Sequence, residues 1–307
     1  IGIVEENFDA MCRYMDYLVE TSDGYIRHGE WYSDHNAFSG SDADLCNTAQ
    51  CAYAASLLAK MAEAAGEEEA AEKYAAVYEN YRKAWQEKYI REDGSVGNWS
   101  QTEYVLGLAF GLYPEELRQK GDEYLLMSVD AGNYHPMTGY ITTGFLLPVL
   151  CEYGYAEAAY KLLLQTGYPS WLDMLSHGGT TIFEGWSTYY TEEDGLDKVN
   201  GSLNHYALGS VGAWMYSDML GIRRDENNPG FKHFYLEPRT GGGLSYAKGR
   251  YESVYGTILS EWRIEGDETV FHFVIPANTT ATVFLPGWEE EAELEAGEYE
   301  YRVFAGN

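Results

Sequence analysis

The sequence predicts a mainly α domain built from helical hairpins, an (α/α)6 barrel incomplete in this chain, followed by a C-terminal antiparallel β-sandwich. Three observations predict it. Helical stretches follow one another in pairs with very short links over most of the chain. Composition then shifts after Asn227-Asn228-Pro229-Gly230 to short β-rich runs separated by Gly and Pro. Finally, 307 residues at 45% hydrophobic content suffice for two domains and a sizeable core. The expected domains are 1–228, the C-terminal portion of the barrel, and 229–307, the sandwich.

The helices follow in order. Residues 4–21 carry apolar residues at helical spacing. Residues 43–66 are alanine-rich and end at Gly66, a helix stop. Residues 67–90 follow at once, with Glu67, Glu68 and Glu69 at the start and Lys88 near the end, as the helix dipole favours. These two form an αα-hairpin. A second pair is 101–112 and 114–129, with Pro114 at a first helical position. A third is 142–154, kinked at Pro148, and 155–167. The last helix spans 204–222. A ring of six hairpins needs more helices than this, so the sequence is expected to begin partway through the barrel. From Phe231 onward, six alternating segments read as strands: HFYLEP, LSYAKGRYES, YGTILSEWRIEG, ETVFHFVIPAN, TATVFLPG and GEYEYRVFAG.

Charge and composition narrow the function classes. The chain has 20 basic and 49 acidic residues, a net charge of −29. Such a surface repels nucleic-acid phosphates and anionic lipid, so neither partner is expected. No run of 18 apolar residues predicts a membrane span. The four cysteines include Cys46 and Cys51, five apart and off the CxxC spacing. Small buried thiols in a reducing, cytoplasmic setting are the expectation. Aromatic residues reach 15%, which suits either sugar binding or simply a large aromatic core. No dinucleotide, P-loop, HExxH or GxSxG pattern is present, and Gly241-Gly242-Gly243 opens a strand rather than a helix. No cofactor is predicted. Asp34, His35 and Asp42 match no standard ligand spacing, so no metal is predicted either.

Four segments carry candidate chemistry. In GGTTIFEGWST, residues 178–188, β-branched residues and Gly185 keep Glu184 off a helix. Phe183 and Trp186 flank it, which predicts desolvation, a raised pKa and general acid–base work. The alternative is a loop glutamate whose aromatic neighbours point inward. In SLNHYALGSVGAWMY, residues 202–216, Ser202 or Asn204 caps a helix and His205 lies in its first turn. That end of a helix favours neutral imidazole able to hydrogen-bond a hydroxyl; local packing is the alternative. The loop 24–45 clusters Glu30, Trp31, Tyr32, Asp34, His35 and Asn36, residue types that line sugar subsites. Trp99, ahead of a helix start, is either a sugar platform or core. Trp31, Asp34, Trp99, Trp186 and His205 are the substrate-binding candidates, and Glu184 the catalytic one.

Together, NWSQTEYVLGLAFGLYPEEL, GYITTGFLLPVL, LLLQTGYPSWLDMLSHGGTTIFEGW, GSLNHYALGSVGAWMY and PGFKHFYLEPRTGGGLSYAKGRYESVYGTILSEW resemble the bacterial α-L-rhamnosidases of glycoside hydrolase family 78 over nearly the whole chain. The resemblance implies an (α/α)6 barrel followed by a β-sandwich, and hydrolysis of terminal α-L-rhamnose with inversion. Inversion needs an acid and a base on opposite sides of the sugar. It implies Glu184 as the general base, His205 as a rhamnose contact and Trp31 as a wall of the sugar site. Here Gly29-Glu30-Trp31 stands where the family carries Gly-Asp-Trp, which puts a polar contact at Glu30 in doubt. The family's general acid lies in a D-x-x-x-R-D-E-R-x-G-W segment that this chain does not contain. The expectation is therefore a C-terminal part acting with the N-terminal remainder of the same enzyme on a rhamnose-containing glycoside. The alternatives are a non-catalytic or degenerate rhamnose-binding fragment needing a partner chain, or another (α/α)6 glycosidase.

Overall fold

The computed structural model describes residues 1–29, 33–188 and 201–304. It comprises two compact units: residues 1–153 with 165–208, and residues 154–164 with 209 onward.

The first unit is helical. Helices α1 (Gly2–Glu20), α2 (Ala43–Ala65) and α3 (Glu68–Tyr89) precede α4 (Gln101–Ala109), α5 (Glu115–Ala131), α6 (Thr143–Glu152) and a short α8 (Trp171–Ser176). The α2/α3 hairpin turns at Gly66, whose φ of 77° is the left-handed stop its sequence suggests. The Gly66 and Glu67 N–H groups donate to the carbonyls of Glu63 and Ala62, which closes the turn. Helix α4 opens on a capping box between Ser100 and Glu103. Its core is dense with aromatics: Tyr74, Tyr81, Trp85, Tyr104 and Tyr113 are all buried. Helix α8 falls in a stretch that the sequence reads as loop. It has only six residues, too few for periodicity to register.

The second unit gathers α7 (Ala156–Leu163), α10 (Val211–Trp214) with a π-helical turn Met215–Met219, and eight strands. The single helix expected over 204–222 is instead broken into α9 (Tyr206–Gly209), α10 and that turn. Gly209, a poor helix former, ends α9 at the first break. One sheet has the order β1 (Ile222–Arg224), β2 (His233–Leu236), β6 (Thr280–Val283), β7 (Ala292–Leu294). The other runs β3 (Tyr246–Ser253), β4 (Gly256–Glu265), β5 (Glu268–Ile275), β8 (Gly297–Phe304). Strands β1 and β7, three residues each, escape sequence patterning. Strands β2 and β6 pair in parallel, because the chain between them first builds β3–β5; all other pairs are antiparallel. Alternate residues Ile258, Ser260 and Trp262 of β4 are buried, and Phe234, Phe271 and Phe273 complete that core.

Among the described residues, no helix is long and apolar enough to cross a membrane. No cluster of three or more His, Cys, Asp or Glu among them could hold a metal.

Candidate active site

The segment carrying Glu184 leaves α8 through Gly178, at φ 84°. The Gly178 and Gly179 N–H groups donate to Leu175 and Met174, which ends the helix. The β-branched run that follows is not helical, as its propensity favours. Two backbone bonds clasp it to residues 202–205: Glu184 N–H to the Ser202 carbonyl and His205 N–H to the Ile182 carbonyl, both at 2.9 Å. The Thr181 hydroxyl donates to the Leu203 carbonyl beside them. The clasp holds Glu184 and His205 in register with each other.

Phe183 and Trp186 are each 1% exposed and turn into the core. The Trp186 indole donates to the Thr138 carbonyl at 2.8 Å, and its ring meets Trp171 edge-on at 5.2 Å. Glu184, between them, stays half-exposed. Its acidity differs from the sequence expectation. The carboxyl lies below its ordinary value, first because the Ser202 N–H donates to it at 2.6 Å, and second because the polar Tyr140 hydroxyl favours its charged form. Desolvation opposes the shift, and His205 and His35 add to it by charge. The flanking rings cannot raise the pKa, because they pack inward rather than over the carboxylate.

Tyr140 is the residue that sequence reasoning missed. Nothing in Gly139-Tyr140-Ile141 distinguishes it from a core tyrosine. Its hydroxyl accepts from Asn36 Nδ2 at 2.9 Å and is held by burial, then by Glu184, so its own pKa is pushed up to about 12. Its ring meets His35 edge-on at 5.0 Å and leans against His205 at 4.9 Å. Tyr206 also stacks on His205. His205 Nδ1 accepts the Ala207 N–H at 3.1 Å, which places the ring proton on Nε2 and leaves that atom a donor.

Asp34 lies underneath rather than at the surface. It is 4% exposed and accepts from Gly139 N at 2.7 Å, Ile141 N at 2.9 Å, Thr102 Oγ1 at 2.7 Å and the Thr142 hydroxyl. The Tyr140 N–H donates to the His35 carbonyl at 2.9 Å. Asp34 thus ties the loop at 34–36 to the loop bearing Tyr140.

Asn36, Glu184, Gly185 and Gly201 line a cleft of about 310 Å³, with His35, Ser187 and Thr188. Glu184 is the one carboxylate among these described residues. A side chain at Gly201, φ 112°, would press on the Glu184 carboxylate. Trp99 is half-exposed at φ 67° and lies against Tyr124 at 5.3 Å, outside that lining. Trp31 and Glu30 fall outside the described residues. The cleft presents the Glu184 carboxylate with Asn36 and His35, while Tyr140 and His205, packed against each other at 4.9 Å, lie outside its lining, as do Asp34 and Trp186. Such a set suits activation of water beside a neutral polyhydroxyl ligand.

Comparison with known proteins gives concordant results. Residues 1–219 match the bacterial alpha-L-rhamnosidase 6 hairpin glycosidase domain, and residues 221–300 the bacterial alpha-L-rhamnosidase C-terminal domain. An alpha-L-rhamnosidase of Streptomyces avermitilis is 34% identical over 274 residues, 89% of this chain and 26% of that protein. One of Formosa agariphila is 33% identical over 296 residues, 93% of this chain and 32% of that protein. The crystal structure of the Streptomyces avermitilis alpha-L-rhamnosidase complexed with L-rhamnose superposes with a TM-score of 0.90 at 30% identity, covering 98% of this chain and 31% of that one. The chain therefore spans about a quarter to a third of the length of these curated relatives.

Proposed function

The chain belongs to the bacterial alpha-L-rhamnosidase six-hairpin glycosidase family, and from that premise we propose that it forms part of an enzyme hydrolysing terminal α-L-rhamnose from rhamnosides by inversion. The observation that carries this reading is Glu184 itself: its carboxylate is held by the Ser202 amide at 2.6 Å and lines a polar cleft. A carboxylate held in its charged form is suited to take a proton from water. His205 Nε2–H donates to a sugar hydroxyl, and Trp31 offers an aromatic face. Asp34 and Trp186, both buried, support the site from beneath. Assignment of catalysis to residues 1–228 and of support to 229–307 draws on the position of the site within residues 34–205 and on family matches that meet between 219 and 221. The four free cysteines support a reducing compartment, the bacterial cytoplasm.

An inverting reaction also requires a proton donor across the sugar. The chain's span of about a quarter to a third of its relatives' length supports a second reading, in which this chain alone binds rhamnose without turnover and residues elsewhere in the whole enzyme supply the acid. Hydrolysis of p-nitrophenyl α-L-rhamnoside by the protein in its full natural length tests the first reading. Glu184→Gln removes the base and is expected to lower kcat at least about 100-fold. A loss under about 10-fold excludes Glu184 as the base. Calorimetric titration of the 307-residue chain with L-rhamnose, beside the same activity assay, tests the second. Binding with no turnover supports it, and turnover by this chain alone removes it.

A further inference from the structure

Glu184 and Ser202 exchange two hydrogen bonds. The Glu184 N–H donates to the Ser202 carbonyl at 2.9 Å, and the Ser202 N–H donates to Glu184 Oε2 at 2.6 Å. We propose that Gly201 and Ser202 form the clamp that positions Glu184: the Ser202 amide holds the carboxylate at the cleft, and the bare backbone of Gly201 leaves it the room to be held there. The proposal rests on the reading of Glu184 as the general base.

The two bonds act on different parts of one residue. The first fixes the Glu184 backbone and the second its side chain, so one partner sets both where the carboxylate starts and where it ends. Gly201 adds a steric condition. A Cβ built there would lie 2.9 Å from Glu184 Oε2 and 3.6 Å from Glu184 Cδ. The shorter separation is inside ordinary van der Waals contact. What it meets is the mobile end of a long side chain, so the carboxylate would yield before the loop did. Gly201 also has φ 112°, a conformation that glycine adopts without strain and other residues do not. Ser202 is fixed in turn by its own hydroxyl, which donates to the Asn204 carbonyl at 3.0 Å and accepts from the Asn204 N–H at 3.2 Å. That turn leads straight into His205, whose N–H returns to the Ile182 carbonyl at 2.9 Å. Gly201 lines the cleft beside Glu184, so the clamp stands where a water and a sugar would meet the base.

A hydrogen bond to the charged form of an acid lowers its pKa. Glu184 does lie below its ordinary value, with the Ser202 amide as the largest cause. The Tyr140 hydroxyl, His205 and His35 also face it and act in the same direction, while desolvation opposes them. Loss of the amide bond therefore raises the acidity constant of the base toward that of an ordinary glutamate. The acid limb of the pH–rate profile reports protonation of the base, so it must move to higher pH.

The test uses the full-length protein and p-nitrophenyl α-L-rhamnoside across pH. It compares Gly201→Ala, an amide-to-ester replacement at residue 202 and Glu184→Gln. The ester removes the N–H alone and leaves every side chain in place, so it keeps the test open should Gly201→Ala fail to fold. In both clamp variants the acid limb of kcat is expected to rise by about half a pH unit or more, with kcat lowered roughly 10-fold and KM within about 3-fold. Combined, the two changes should move the limb no further than the larger single one, since both act through one bond. A clamp that served only to brace the loop would lower the thermal midpoint and leave the limb where it was. An acid limb unmoved in the ester, with Glu184→Gln inactive, overturns the clamp and leaves the base in place. A folded Gly201→Ala protein with an unchanged profile overturns the part given to Gly201. Retained activity in Glu184→Gln overturns the base assignment and the proposal with it.

Discussion

Four hydrogen bonds converge on the Asp34 carboxylate, from Gly139 N, Ile141 N, Thr102 and Thr142. Three of these fall on Oδ2 and one on Oδ1, and at 4% exposure the carboxylate is out of a sugar's reach. Asp34 acts on the cleft through the Tyr140 loop instead. Asp34→Ala leaves two backbone donors at a buried position without a partner, at a cost of about 3 kcal/mol or more. The thermal midpoint should fall by roughly 2–4 °C for each kcal/mol, and rhamnosidase activity should fall with it as Tyr140 loses its footing. Scanning calorimetry alongside the rate assay checks both; an unchanged midpoint would show that those amides find other partners. At this scale the sequence located Glu184 but misjudged its environment. Phe183 and Trp186 flank it in the chain, yet the backbone bends at 184–185 and turns at 186–187, so both rings pack inward while Glu184 stays at the surface. The groups that set its acidity, Ser202 and Tyr140, come from other segments and leave no local signature. Trp186 was misjudged for the same reason, its indole being committed to Thr138.

At the scale of elements, local rules carried much of the fold. Six of the helices begin and end within a few residues of where capping, proline and glycine signals place them. The start of α4 shows how a cap can reach further. Glu103, fully buried, accepts from Ser100 N at 3.2 Å within its own capping box, and also from Asn98 N at 2.7 Å and Asp42 N at 2.9 Å. Asp42 in turn caps α2 by accepting from Leu45 N at 3.1 Å. One side chain thereby ties together two helix starts. Glu103→Ala should destabilise the first unit by about 3 kcal/mol, more than the roughly 1 kcal/mol of an ordinary cap. Glu103→Gln, which keeps one acceptor oxygen, should cost less. Denaturant unfolding distinguishes them, and a loss of only about 1 kcal/mol for the alanine variant would reduce Glu103 to a simple cap. The elements that patterning misses are the short ones, α8, β1 and β7. Six or three residues hold less than two periods of a helix or strand.

At the scale of the whole molecule, 29 acidic charges have no basic counterpart in the sequence. Surface ion pairs such as Lys248–Glu261 at 2.8 Å and Arg302–Glu265 at 2.9 Å offset only part of this, and each contributes about 1 kcal/mol or less. Net self-repulsion destabilises a compact chain and is screened as the Debye length falls from about 30 Å at 0.01 M salt to about 10 Å at 0.1 M. The thermal midpoint at pH 7 should therefore rise by a few degrees as sodium chloride increases over that range. A midpoint that falls would mean the ion pairs outweigh the repulsion.

By itself the sequence determined the class of each unit, the order of the longer elements and the non-helical backbone around Glu184. Those features depend on periodicities and caps encoded by residues close to one another in the chain. Tertiary structure decided what could not be local: that the Ser202 amide holds the Glu184 carboxylate, that Asp34 lies beneath the site, and that β2 and β6 run parallel. Hydrogen bonds and charge act over a few ångströms in space, and the segments that meet at that distance are chosen by the packing of the whole chain.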